Sequence, residues 1–112
     1  MKSPKFQIFK DGAGEFRFRL LAGNNEVVLA SEGYKNKAGC QNGIESVKKN
    51  SGDDARFVTK SSTNDETYFE LTAANSQVIG TSQMYKSESG RSNGIKSVQK
   101  IAAGAPVEDT TG

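Results

Sequence analysis

The sequence predicts an α+β fold in which two tandem strand-strand-strand-helix repeats share one antiparallel sheet. Three observations predict it: the chain repeats itself at an offset of 51 residues, apolar residues alternate in short blocks, and apolar residues at helical spacing follow each set of blocks. A chain of 112 residues has the size of one domain, whereas half of it would bury too little apolar surface. We expect a single domain, 1–112, with repeats at about 5–54 and 56–109, an approximate two-fold axis between them and both helices on one face.

The repeat is a gapless alignment of residues 16–49 with residues 67–100. Fifteen of these 34 aligned positions are identical, far more than unrelated segments would share. Solenoid arrays need about three or more repeats to bury their faces. Two copies therefore predict a closed pair with a common core.

Three strands are predicted at the start of the first repeat. Lys5–Lys10 is rich in apolar residues, and the glycines of Asp11–Gly14 indicate a turn after it. In Phe16–Leu20 apolar and basic residues alternate, which is typical of a strand with one face on a core and one in water. Val27–Ser31 is a short β-branched run that follows a turn at Ala22–Asn25. The three strands predict an antiparallel meander.

A helix is predicted from about Lys37 to Asn50. Its apolar positions have the spacing i, i+4, i+7: Cys40, Ile44 and Val47. This spacing places them on one helical face, directed at the sheet. Asn36 is the predicted N-cap, and Ser51 with Gly52 ends the helix.

The second repeat follows the same plan and adds a final strand. Its predicted parts are a strand at Phe57, a turn at Ser61–Glu66, strands at Thr67–Thr72 and Val78–Ser82, and a helix at about Glu88–Ala102. Residues 105–109 resemble residues 55–57, which follow the first helix, and so predict an edge strand. Pro106 suits an edge because proline has no N–H to donate to a neighbouring strand.

Each predicted helix contains two glycines four residues apart, Gly39 with Gly43 and Gly90 with Gly94. A glycine inside a helix costs roughly 1 kcal/mol relative to alanine. We expect close packing of the helix backbone on the sheet or on the other helix to offset this cost. A ligand that approaches the backbone is the alternative.

The chain lacks the usual residues of enzyme chemistry. It has no histidine and one cysteine, so the common forms of acid-base, triad and zinc chemistry are disfavoured. The carboxylate pairs at residues 53–54 and 65–66 lie in polar turns and are expected to be solvated. Cys40 aligns with Arg91, so we expect a half-buried, inert thiol at the margin of the core. The sequence predicts no enzyme activity, no metal site and no cofactor.

A Tyr-Lys pair is preserved in both repeats, as Tyr34-Lys35 and Tyr85-Lys86. Each pair lies between the third strand and the helix, where a ring could stack on a ligand and an ammonium could contact an anion. These four residues are the candidate binding residues. The alternative is a tyrosine that packs under the helix with its hydroxyl bonded to the backbone.

The distribution of charges favours neither a basic surface stripe that would bind nucleic acid nor a membrane-spanning segment. The 15 basic and 13 acidic residues are largely interspersed, and charges interrupt every long apolar run. Arg17 and Arg19 face away from the predicted core, but their counterparts are Tyr68 and Glu70, which favours a solvated sheet face over an RNA platform. A single cysteine forms no internal disulfide. We expect a cytoplasmic location, no membrane contact and a monomer.

Several segments resemble the YegP-like family of small bacterial proteins, a domain of unknown function. They are Gly33–Lys35, Asn42–Asn50, Val78–Ser82 and Asn93–Val98, and they include a doubled Asn-Gly-Ile-x-Ser-Val motif. The resemblance covers about residues 5–109. It implies tandem three-strand-plus-helix units in one antiparallel sheet, with a strand after each helix exchanged between the halves. The family brings no established catalytic or ligand residues.

We therefore expect a non-enzymatic binding or interaction module. Its contact surface would be either the two Tyr-Lys corners or an exposed sheet edge that recruits an extended protein partner. An enzyme of unrecognised chemistry is one alternative. The other is weak nucleic-acid association through eight basic residues: Lys35, Lys37, Lys48, Lys49, Lys86, Arg91, Lys96 and Lys100.

Overall fold

A computed structural model describes residues 3–62 and 64–111 of the chain. Its elements are β1 (Lys5–Lys10), β2 (Phe16–Leu21), β3 (Val27–Ala30), α1 (Lys37–Asn50), β4 (Phe57–Ser61), β5 (Thr67–Thr72), β6 (Val78–Thr81), α2 (Glu88–Ile101) and β7 (Val107–Asp109). The predicted elements are confirmed, with ends that differ by one or two residues. The predicted Ser61–Glu66 turn includes residue 63, which lies outside the described residues.

Side chains cap both helices at their N-termini. Asn36 Oδ1 accepts a hydrogen bond from Gly39 N at 2.7 Å, as predicted, and Ser87 Oγ accepts one from Gly90 N at 3.0 Å. Each bond satisfies a backbone N–H that has no partner within the helix. The caps fix where each helix begins, directly after the Tyr-Lys pair.

The seven strands form one sheet in the order β4-β5-β6-β3-β2-β1-β7. Each set of three consecutive strands is an antiparallel meander, and β3 pairs with β6 where the two sets meet. At this central pairing Leu29 lies against Gly80, its counterpart in the other repeat: a Cβ on Gly80 would lie 2.7 Å from Leu29 Cδ2. A large residue therefore faces a small one at the junction of the repeats.

The expectation of a wholly antiparallel sheet is wrong, because β7 pairs with β1 in parallel. The first helix leads the chain to the edge beside β5, where β4 pairs antiparallel. The second helix leads the chain to the opposite edge, but β1 already occupies the place beside β2 there. The strand after α2 therefore lies outside β1 and runs in the same direction as β1.

The core lies between the two helices and one face of the sheet. One cluster of fully buried side chains includes residues of both repeats: Phe6, Ile8, Phe18, Leu20, Leu29, Cys40, Val47, Phe69, Leu71 and Val98. Helix α1 contacts β2, β5 and β6, and α2 contacts β3 and β5. Each helix thus packs on strands of both repeats.

The expected position of Cys40 at the margin of the core is wrong, because its side chain is fully buried. Arg91, its counterpart, fits the same place in α2 because its side chain reaches Thr67 on β5, where Nη1 donates to Oγ1. Burial raises the pKa of the Cys40 thiol to about 11. The thiol is therefore protonated near neutral pH, which disfavours nucleophilic chemistry.

Candidate functional site

Each candidate tyrosine is held at a corner between its helix and the start of a strand. Tyr34 and Phe16 exchange two backbone hydrogen bonds, of 2.8 and 2.7 Å, in an isolated bridge. Tyr85 and Thr67 exchange the equivalent pair at the same two lengths. The corner backbone is therefore built in the same way in both repeats.

The tyrosine rings pack inward, between a core phenylalanine and the helix glycines. Tyr34 stacks on Phe18 with ring centroids 6.3 Å apart, and Tyr85 stacks on Phe69 at the same separation. A Cβ on Gly43 would overlap Tyr34 Oη and lie 2.9 Å from Phe18 Cε2. The second glycine of α1 thus leaves room for the tyrosine ring.

The equivalent glycine of α2 makes the same space. A Cβ on Gly94 would overlap Tyr85 Oη and lie 2.6 Å from Tyr85 Cζ. At the first glycine of each helix the fit is looser, since the nearest atoms to a Cβ would be 3.2 Å away at Gly39 and 3.4 Å away at Gly90. The spacing of four residues therefore combines one glycine near the cap with one that the tyrosine ring requires.

The tyrosine hydroxyls are poorly suited to chemistry. Burial raises the pKa of both Tyr34 and Tyr85 above the ordinary value of tyrosine. The Oη of Tyr85 is buried and has no hydrogen-bond partner among residues 3–62 and 64–111. The expected bond from this hydroxyl to the backbone is therefore not made at Tyr85, although the expected packing under the helix is present.

The lysines of the two pairs have a different environment from the tyrosines. Both Lys35 and Lys86 are exposed, whereas both rings are half-buried. The binding role of Tyr34, Lys35, Tyr85 and Lys86 stays a prediction.

A cleft of about 270 Å³ lies beside Tyr85, between the β2–β3 turn of the first repeat and α2 of the second. Glu26 on the turn accepts a hydrogen bond from Gln83 Nε2, next to the corner. In the alignment of the repeats Glu26 corresponds to Gln77, and Gln83 corresponds to Glu32. Glu32 and Gln77 line the groove beside Tyr34, whereas the cleft beside Tyr85 is lined by Glu26 but not by Gln83.

The first of the two acidic pairs, Asp53 and Asp54, makes structural contacts. Asp53 Oδ1 accepts a hydrogen bond from Ala55 N at 3.0 Å, and Asp54 Oδ1 accepts one from Gln99 Nε2 at 2.6 Å. Within the described part of the chain, no three side chains of His, Cys, Asp or Glu are grouped as metal ligands would be. Among residues 3–62 and 64–111, no helix is long and apolar enough to cross a bilayer.

Three of the basic residues considered for nucleic-acid contact are engaged within the protein, one of them Arg91 through its bond to Thr67. Lys37 Nζ lies 2.7 Å from Asp109 Oδ2, and Lys48 Nζ lies 5.7 Å from the centroid of the Phe6 ring. Sequence reasoning expected an exposed sheet edge but did not identify the location of two surfaces that depend on strand order. These are the free edge of β4 and a groove beside Arg19 on the sheet face opposite the helices.

Comparison with known proteins identifies the family. The profile of a domain of unknown function, DUF1508, matches residues 11–57 and again residues 62–109. A UPF0339 protein in the ptx operon 5′ region of Stutzerimonas stutzeri is 57% identical over 105 residues, which cover 94% of this chain and 95% of that protein. The UPF0339 protein YegP of Escherichia coli O157:H7 is 43% identical over 106 residues, which cover 95% of this chain and 96% of that protein.

Solved structures agree with this assignment. The solution NMR structure of YegP from E. coli, described as a protein of unknown function, has a TM-score of 0.92 at 41% identity and covers 100% of this chain and 97% of that one. The NMR structure of a UPF0339 protein from Shewanella oneidensis has a TM-score of 0.89 at 48% identity, covering 96% and 91%. The resemblance drawn from the doubled motif is confirmed: the chain belongs to the YegP-like DUF1508 family of unknown function and contains the family domain twice.

Proposed function

We propose that this protein is a non-catalytic interaction module that binds an extended peptide segment as an additional strand along β4. The observation that carries the proposal is the difference between the two sheet edges. The outer side of β1 is covered by β7, whereas β4 pairs with β5 alone among the described strands. An uncovered edge offers main-chain groups to an extended partner.

The proposal treats the two repeats as related by an approximate two-fold axis between β3 and β6. The strand order supports this view, since it reads β4-β5-β6 on one side of the centre and β3-β2-β1 on the other. Under this relation β4 corresponds to β1. The proposal further places the module in the cytoplasm as a monomer, in keeping with its single, buried cysteine.

The main chain of β4 directs the groups of every second residue away from β5. Phe57 N already donates to Asp54 O, whereas the outward groups of Thr59 and Ser61 have no partner among residues 3–62 and 64–111. Ser62 N donates to Glu66 O at 2.8 Å, and the register continues without a shift through β4 and β5. Because bonded and non-bonded pairs alternate in an antiparallel ladder, Lys60 directs its N–H and C=O toward β5. Thr59 and Ser61 direct theirs away from the sheet, where a partner strand could bond to them.

The chain itself shows how such an edge is used. Phe6 N donates to Pro106 O at 2.8 Å, and Thr110 N donates to Ile8 O at 2.9 Å, so β7 is held by the outward groups of β1. Ile8 occupies in the first repeat the place that Thr59 has in the second. Strand β7 is therefore a template for a partner of β4 at Thr59 and Ser61, but not at Phe57, whose N–H already donates to Asp54 O.

Side chains of β7 also match the surface beside β1. Gln7 Nε2 donates to Glu108 Oε1 at 2.7 Å, and Asp109 Oδ2 lies 2.7 Å from Lys37 Nζ. These contacts give an acidic strand a favourable position at this edge.

The corresponding surface of β4 favours a different sequence. Val58 replaces Gln7, with 39% of its surface exposed, and Glu88 replaces Lys37. The groove beside the end of β4 contains three carboxylates and two cations: Asp65, Glu66, Glu88, Lys86 and Arg91. A partner should therefore carry an apolar residue opposite Val58 and a lysine or arginine at the place of Asp109.

Two peptides test this proposal against the full chain by ¹⁵N-¹H NMR. One has the sequence of residues 104–111, and the other has the same sequence with Glu108→Val and Asp109→Lys. We expect the substituted peptide to shift the Thr59 and Ser61 amides and to slow their hydrogen exchange. The unsubstituted peptide should bind β4 more weakly because its aspartate would meet Glu88.

Variants of Thr59 separate strand addition from other binding. Thr59→Pro removes an outward N–H and leaves the bonds to β5 intact, since proline is tolerated at sheet edges. Thr59→Ala keeps the N–H and is the matched control. Binding that survives Thr59→Pro unchanged, or peptide-induced shifts confined to other parts of the sheet, would overturn the proposal.

A further inference from the structure

The sheet face opposite the helices contains a groove at the β1–β2–β3 end, far from β4. The groove has a volume of about 550 Å³, within the size range of small-molecule sites. The lining residues that matter here are Lys5, Gln7, Arg19, Leu21, Asn25 and Val27. Gln7 and Arg19 alternate with buried core residues along their strands, which places them on the face away from the helices.

The guanidinium of Arg19 is held in place from two sides. Its Nε donates to Gln7 Oε1 at 2.7 Å, and the group lies 4.8 Å from the centroid of the Phe9 ring. Neither Nη atom of Arg19 has an acceptor among residues 3–62 and 64–111. An arginine fixed in this way loses little freedom on binding and keeps a free edge that fits a carboxylate.

The remainder of the groove combines an apolar surface with a weakly basic rim. Leu21 is 6% exposed and Val27 is half-buried, and both line the groove. The charge of Lys5 is balanced by Glu108, with 3.2 Å between Nζ and Oε1. Arg19 therefore supplies the unbalanced positive charge, next to apolar side chains.

We propose that this groove binds a small organic carboxylate with a short apolar body. The carboxylate accepts hydrogen bonds from the Nη atoms of Arg19, and the apolar body lies against Leu21 and Val27. The groove is separate from the β4 edge, so its role does not depend on peptide binding there.

The second repeat provides an internal comparison. It has Glu70 where the first has Arg19, and Thr72 where the first has Leu21. The same position of the fold thus accepts a residue other than arginine. Replacing Arg19 is therefore compatible with folding.

The test is a titration of the full chain with hexanoate, followed by ¹⁵N-¹H NMR. A ligand of this size is expected to bind with a dissociation constant on the order of 1 mM. We expect saturable shifts of the Gln7, Arg19 and Leu21 amides. Hexanamide, which has the same apolar body without the charge, should bind at least about tenfold more weakly because it cannot form a charge-assisted pair.

A matched pair of variants controls for net charge. Arg19→Gln should weaken hexanoate binding at least about tenfold. Arg17→Gln removes the same charge from the same strand face, but Arg17 is bonded to Asp11 at 2.7 Å and lies outside the lining, so binding should be unchanged. Three results would each overturn the proposal: no saturable shifts, equal binding of hexanamide, or equal weakening by the two variants. Spectra of the free variants verify that each is folded.

Discussion

Replacing Gly94 by alanine should destabilise the protein, although alanine is the better helix former. A Cβ at this position would overlap Tyr85 Oη and lie 2.6 Å from Cζ and 3.2 Å from Phe69 Cε2. The ring of Tyr85 cannot move aside easily, because its backbone bonds twice to Thr67 and its ring stacks on Phe69. The helix, the ring or both must shift to admit one methyl group.

The magnitude follows from two opposing effects. Alanine gains about 1 kcal/mol of helix propensity over glycine, while an extra methyl group in a packed site costs about 1–3 kcal/mol. The net loss for Gly94→Ala is therefore about 0–2 kcal/mol. Gly90→Ala in the same helix gains the same propensity, but its nearest atoms are 3.4 Å away, which is ordinary contact. The two variants should differ in stability by about 1–3 kcal/mol.

Urea and thermal unfolding followed by circular dichroism measure this difference, with about 4 °C in Tm for each kcal/mol. The Tyr85→Phe background tests the cause: it removes the Oη that the methyl group meets but keeps Cζ, so it should relieve part of the cost of Gly94→Ala. Tyr85→Phe alone should be neutral or stabilising, because the buried hydroxyl has no described partner. If Gly94→Ala stabilises as much as Gly90→Ala, or costs the same with and without Oη, the reasoning is wrong.

Three further predictions concern the centre, the edge and the core of the fold. Gly80→Ala should lower the free energy of unfolding in urea by about 1–3 kcal/mol, because the new methyl group would meet Leu29. The same substitution should cost less in a Leu29→Ala background, and additive effects of the two substitutions would contradict the contact. The bond from Lys37 lowers the pKa of Asp109 to about 2, below the pKa of about 3.9 that an aspartate has in the unfolded chain. The ionised Asp109 therefore stabilises the fold above about pH 3.9, and this stabilisation is lost as the pH falls toward 2. Tm measured across this window should therefore fall less steeply for Asp109→Asn than for the wild type, and parallel curves would refute the assignment. The Cys40 thiol should react with iodoacetamide far more slowly in the native state than in urea, and equal rates would show that the site opens readily.

Local sequence patterns were sufficient for the elements of this fold. The alternation in Phe16–Leu20 and the spacing of Cys40, Ile44 and Val47 each reflect one buried face, and the structure has a strand and a helix at these places. The N-cap at Asn36 could also be predicted, because its side-chain oxygen accepts a hydrogen bond from the backbone N–H of Gly39, only three residues ahead. Such features depend on neighbours in sequence.

Features that depend on distant neighbours were beyond these patterns. The direction of β7 follows from the place that β1 already occupies, which no periodicity encodes. The burial of Cys40 was misjudged because Arg91 reaches Thr67 from the same helical position. The groove beside Arg19 joins residues of three strands, and alternation could only place Arg19 on the outer face.

The contact of Leu29 with Gly80 has a consequence for how the two halves recognise each other. Under the two-fold relation proposed above, two identical halves would place leucine on leucine, which is too crowded, or glycine on glycine, which leaves a void. One covalent chain escapes this restriction, since each half can have its own residue. If the chain were cut in the turn at Gly52, it would give two unlike fragments. Each fragment should pack better against the other fragment than against a second copy of itself. The covalent link therefore lets the two repeats of one chain differ at their contact, as the two subunits of a heterodimer can.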